Sequence, residues 1–195
     1  MKKTLVLALL AFLSSSSLWA DPLGPDQRWI ERGEVALGIP ASSDISTGAG
    51  LGFGGAIGYR LTEHFSISAA SGYYQYNINA VTGGTTGGTF SYVPLDAVFS
   101  YNFGEGDFRP YASFGIGVAF NTYAVNVPAG QANTYETSFF MSPAIGFLEV
   151  LSPQAAFFLE GRADMDYRNN GALGMGNASP SIFIPVQAGI AFFVI

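Results

Sequence analysis

The chain contains no cysteine, a single histidine (His64) and, beyond Lys3, no lysine. The first absence excludes disulfides and a lipidated cysteine, and together with the lone histidine it removes the usual ligand sets for zinc or copper. Charge is scarce as well. Only 11% of residues are charged, and once Lys2 and Lys3 are set aside six arginines face fourteen acidic residues, a net charge of −8. Nucleic-acid binders carry basic patches, so that class is excluded. Long apolar runs are missing too. Although 49% of the chain is hydrophobic, no segment after residue 20 reaches the ~18 uninterrupted apolar residues that mark a membrane helix.

What is present begins with a secretory signal. Lys2 and Lys3 form its positive end, residues 4–13 its apolar stretch and residues 14–20 a polar end, with cleavage expected after Ala20. Ten apolar residues are too few for a helix that must have ~20 to cross a bilayer. The remainder, residues 21–195, is of a length that suits one domain. It opens with a proline-rich lead, residues 21–27, that has no periodicity.

The clearest pattern lies in residues 155–168. Phe157, Leu159, Gly161, Ala163, Met165 and Tyr167 share one parity, while Phe158, Glu160, Arg162, Asp164, Asp166 and Arg168 share the other. Neighbouring side chains of a strand point to opposite faces, so this is a strand with one apolar and one charged face. At helical spacing the same charges would be smeared around the axis. Similar alternation marks strands at residues 29–39, 50–61, 65–78, 90–103, 109–123, 137–150 and 181 onward, eight in all. Their connections alternate between long (40–48, 79–88, 124–136, 169–180) and short (62–64, 104–108, 151–154).

Eight antiparallel strands of this length, each above the ~9–11 residues that cross a bilayer at a tilt, predict an all-β, up-and-down transmembrane barrel. Short turns would face the periplasm and long loops the outside, with lipid on the apolar face. A soluble lipocalin-like barrel is the competing reading, and it would turn its apolar face inward around a ligand.

Two local features complicate the pattern. In strand three the segment GYYQYNI reads as a change of phase, which a bulge near Ser71 or Gly72 would explain. Pro94, Pro143 and Pro185 fall inside strands, where each removes a ladder donor, so bulges are expected there too. Strand two turns Gly50, Gly52, Gly54 and Gly58 inward, which predicts bulky neighbours that need the room.

The inward parity collects Arg32, Glu34, Arg60, Asp96, Glu160, Arg162 and Asp164, joined by Gln187 from the last strand. A barrel of eight strands is only wide enough for its own side chains to fill it. The expectation is therefore a polar cluster in the lumen in which three arginines are shared among four carboxylates.

Catalytic residues do not stand out. His64 lies in a short turn beside Glu63 with no serine placed to be activated, which reads as a solvated turn residue and not as a general base. Asp164 and Asp166 lack the further oxygen ligands of a calcium loop, and the glycine-rich residues 82–88 lack the lysine and helix of a phosphate loop. No cofactor and no metal are expected.

The phrases GGAIGYRLTEHFSIS (54–68), VPLDAVFSYNF (93–103), RPYASFGIGVAF (109–120), FLEGRADMDY (158–167) and IPVQAGIAFFVI (184–195) resemble the small eight-stranded outer membrane barrels. These are the OmpX and OmpA-barrel type, the outer membrane protein β-barrel domain proteins. The resemblance implies residence in the outer membrane of a Gram-negative-type bacterium and contact with its lipid and lipopolysaccharide. It also implies delivery by the barrel insertion machinery. Three functions stay open: a monomeric structural and surface-interaction protein that contacts a ligand through its outer loops, a narrow channel or small-solute transporter, and a lipid-modifying enzyme.

Overall fold

The computed structural model describes residues 29–42, 47–78, 87–104, 106–127, 130–167 and 180–194. The expected signal segment, the proline-rich lead and most of residues 79–88 and 169–180 lie outside them. Nine strands form one antiparallel sheet: β1 (Trp29–Ser42), β2 (Thr47–Arg60), β3 (Phe65–Ile78), β4 (Gly88–Asn102), β5 (Phe108–Val127), β6 (Gly130–Ser152), β7 (Ala155–Arg162), β8 (Asp164–Tyr167) and β9 (Ser181–Val194). Each pairs with its sequence neighbour through β7. The sheet then closes, because β1 pairs with β9 in register from Trp29↔Val194 to Pro40↔Phe183.

The outer surface is apolar. Val35, Leu51 and Ile145 are 66%, 71% and 73% exposed, far from what a water-facing surface would favour. Aromatic side chains frame this belt at both ends. At the short-turn end Trp29 packs edge-on against Tyr59 at 5.3 Å, Tyr101 meets Phe103 at 5.2 Å and Phe108 meets Phe147 at 5.2 Å. Toward the other end, Phe139 lies against Tyr167 at 5.8 Å. An apolar belt between aromatic girdles is the outward face of a membrane barrel, and a lipocalin-like inversion is ruled out by it.

The strand expected from the clearest alternation, that of residues 155–168, is divided. β7 and β8 are two halves of one wall strand separated at Ala163, yet both keep the same register with β6 and with β9. The cause is proline on both sides. Continuing those registers sets Pro143 of β6 opposite Ala163 and Pro185 of β9 opposite Arg162, and neither proline has an N–H to donate. Ala163 N–H still donates to Pro143 O at 2.9 Å. Pro94 acts in the same way opposite Gly72, where the β3–β4 ladder skips from Ser71↔Leu95 to Tyr74↔Tyr92. So the three prolines open gaps in the ladder and none of them makes a bulge. The register irregularities fall elsewhere, at Pro40/Ser42, Thr47/Gly50 and Val150/Ser152.

Strand β3 shows no change of phase. Its pairing with β2 runs unbroken from Gly50↔Tyr76 to Arg60↔Ser66, and Ser66, Tyr74, Tyr76 and Ile78 are all buried on one parity. The apparent switch reflects aromatics pointing into the barrel. Two of the expected long loops are also shorter than the alternation suggested. Residues 40–42 and 47–48 belong to β1 and β2, and residues 124–127 and 130–136 extend β5 and β6 into a paired ribbon.

Candidate functional site

Along β1, along β7–β8 and along β9 the inward side chains change character in the same order. Starting from the short-turn end, an apolar group (Ile30, Ala156, Phe158, Ala191, Phe193) gives way to polar residues (Arg32, Glu34, Glu160, Arg162, Asp164, Gln187), beyond which β1 turns the small Ala36 and Gly38 inward, β8 the buried Asp166 and β9 the ring of Phe183. The lumen therefore has tiers.

The aromatic tier is built from β3, β4, β5, β6 and β9. Tyr74 stacks on Tyr92 at 4.9 Å, Tyr76 lies 4.7 Å from Phe183, Phe90 stacks on Tyr123 at 5.0 Å, and Tyr92 meets Phe140 at 6.2 Å. All seven rings are buried. The glycines of β1 and β2 make this possible, since a Cβ at Gly38 would overlap the Tyr76 ring, one at Gly50 would come within 2.6 Å of it, and one at Gly52 would overlap Tyr74.

The polar tier consists of two ion pairs held by tyrosines. Arg162 Nη2 donates to Asp164 Oδ2 at 2.9 Å, and Tyr92 Oη donates to the same oxygen at 2.5 Å. Arg32 Nη2 of β1 lies 3.5 Å from Glu160 Oε2 of β7, past the β9 strand that pairs with both. Tyr111 links the two: its hydroxyl accepts from Arg32 at 3.2 Å and donates to Glu160 at 2.9 Å. The Arg32 guanidinium also lies 3.9 Å from the centre of the Phe158 ring, a cation–π contact. Glu34 accepts from Tyr74 Oη at 3.2 Å, and that hydroxyl accepts from Gln187 Nε2 at 2.7 Å. Asp96 accepts from Ser142 Oγ at 3.0 Å, beside Gly115, where a Cβ would collide with both. Asp166 joins through Ser138 and Asn121.

Seven of the eight residues expected in the lumen thus lie in one tier. Arg60 does not. It lines the mouth at the short-turn end, together with Arg109, so the arginines are not pooled among four carboxylates: Arg32 and Arg162 take Glu160 and Asp164, while Glu34 and Asp96 are held by hydroxyls. Tyr74, Tyr92 and Tyr111 carry this network and were not anticipated. A tyrosine on an inward parity looks apolar in a periodicity reading, although its hydroxyl needs a partner once buried.

His64 sits in the turn after β2, with Nδ1 3.1 Å from Asn102 O and its ring stacked on Tyr101 at 5.7 Å. Among the described residues, no three of His, Asp and Glu converge as a metal-ligand set.

The model of the outer membrane protein β-barrel domain matches residues 5–179. No curated protein matches the sequence. Among solved structures the chain is similar to Neisserial surface protein A, with a TM-score of 0.59 and 16% identity over 85% of this chain and 97% of that one. It is also similar to OprG from Pseudomonas aeruginosa, with a TM-score of 0.57 and 16% identity over 89% of this chain and all of the other. A third likeness is to Ail, the attachment invasion locus protein of Yersinia pestis. There the TM-score is 0.50 and the identity 10%, over 85% and 96% of the two chains. At these identities the likeness is one of fold.

Proposed function

The chain belongs to the family of outer membrane protein β-barrel domains, and from that premise we propose that it is a non-enzymatic structural and surface-interaction barrel with a closed lumen. The observation that carries the closed lumen is the tiered filling, in which seven buried rings stand above two tyrosine-held ion pairs. Purified protein in planar bilayers is expected to show no steady conductance. Large, stable openings from the unmodified protein would overturn this reading and favour a narrow channel.

The surface role is supported by the β5–β6 ribbon. These strands have 20 and 23 residues, about twice the ~9–11 that a tilted crossing uses. Their far ends carry exposed, uncharged side chains such as Asn126, Gln131, Asn133 and Tyr135, the last 73% exposed. In this reading residues 1–20 direct export and the insertion machinery installs the barrel. It then works as a monomer, without a cofactor, with lipid and lipopolysaccharide around its belt. Shortening the ribbon by residues 126–133 is expected to leave a folded, heat-resistant barrel while reducing attachment of whole cells to protein- or saccharide-coated surfaces. Unchanged attachment on every surface would remove the ribbon from the interaction.

A further inference from the structure

The mouth at the short-turn end holds a concavity with two unlike walls. One arc, contributed by β2 to β5, presents Arg60, Ser66, Ser68, Ser100, Asn102 and Arg109. The arc facing it, from β6, β9 and β1, presents Leu148, Val150, Ala191, Phe193 and Ile30. Arg32 and Tyr111 form the floor, already engaged with Glu160.

Charge makes the arrangement unusual. In a chain that is strongly acidic once its first twenty residues are removed, three of the six remaining arginines line this one concavity, and no carboxylate among the described residues lines it with them. Arg60 and Arg109 are near enough to repel each other, with Glu63 on the adjoining exposed turn as the acidic group that faces Arg60. Neither arginine is without a partner, and Arg109 Nε donates to Gly106 O at 2.7 Å, but a guanidinium carries five N–H donors and suits the planar or tetrahedral oxygens of carboxylate and phosphate. The hydroxyls and amide of Ser66, Ser68, Ser100 and Asn102 add neutral donors on the same arc. The opposite arc has no polar side chain to offer and rewards hydrocarbon.

We propose that this vestibule binds a small amphiphilic anion, a carboxylate or phosphate bearing a short hydrocarbon chain. The head lies against Arg60 and Arg109, and the tail lies along Leu148, Val150 and Phe193. The site is separate from the outer ribbon and does not depend on the lumen being sealed.

The test uses the full barrel in nanodiscs of zwitterionic lipid, with empty discs as the blank. Hexanoate and hexyl phosphate are titrated while the backbone amide signals of Ser66, Ser68, Ser100 and Asn102 are followed. Saturable shifts are expected with at least one of the two, and which of them binds more tightly separates a carboxylate source from a phosphate source. Acetate and inorganic phosphate should bind at least about tenfold more weakly, since several buried methylenes are lost. Arg60→Gln combined with Arg109→Gln should weaken the hexyl anions by about tenfold or more while leaving the remaining spectrum in place. The proposal is overturned if neither hexyl anion gives a saturable shift, if the double variant binds as tightly as the parent, or if hexyltrimethylammonium binds as well as the anions do.

Discussion

Replacing Asp164 with alanine is expected to destabilise the barrel by about 3–5 kcal/mol, the usual cost of removing one partner from a buried ion pair. Asp164 is fully buried and the Arg162 side chain is 8% exposed, so the guanidinium left behind has little water to turn to. Tyr92 loses the acceptor of its hydroxyl in the same step. Asp164→Asn keeps an acceptor for Tyr92 and removes only the charge, so it should lie between the parent and the alanine variant. Glu160→Ala should cost less than Asp164→Ala, because Arg32 keeps its bond to Tyr111 and its place over Phe158. Urea unfolding in detergent micelles or lipid vesicles gives the comparison. A loss below about 0.5 kcal/mol for Asp164→Ala, the range of an ordinary surface change, would mean that the pair contributes nothing.

The second large effect is steric. Valine at Gly52 would bring its Cβ into overlap with Cδ1 of the Tyr74 ring, and the Tyr73 carbonyl lies 3.0 Å from the same position. The ring has to leave, and three contacts leave with it: the stack on Tyr92, the bond to Glu34 and the bond from Gln187. Overpacking alone costs about 1–3 kcal/mol. Each lost hydrogen bond adds roughly another 1 kcal/mol. Combining Gly52→Val with Tyr74→Ala is the informative control. The two changes should be markedly non-additive, because once the ring is absent the valine has room. Simple additivity in the double variant would show that Gly52 is not there to seat Tyr74.

The strands with polar lumen residues were legible in the sequence, and the reason is visible in β4 and β7. There the lipid face carries Leu95, Phe99 or Leu159, the lumen face carries Asp96, Ser100 or Glu160, and parity alone separates them. The signal fails where the lumen is aromatic. In β3, Tyr73 faces outward and Tyr74 inward, so apolar character appears on both parities and mimics a slip in register. The inward glycines of β2 held the missing information, since they announced large partners without saying which strand supplied them. Gly50 and Gly52 lie opposite Tyr76 and Tyr74 in the adjacent strand. Arg60 was misplaced for a different reason. Parity tells which face a side chain takes and nothing about its height, and Arg60 is the last residue of β2, at the mouth and not in the lumen tier.

The pairing of β1 with β9 also sets a clock. The first wall strand has no partner on one side until the last wall strand exists, so the cylinder is sealed only when β9 meets β1. Before that moment two open edges of N–H and C=O groups remain, and hydrocarbon offers them nothing to bond with. A half-wound sheet is therefore not a resting place inside the bilayer. Closure and entry must be nearly one event, delayed until β9 has been made, and the growing chain needs a temporary companion for its bare edges while it waits.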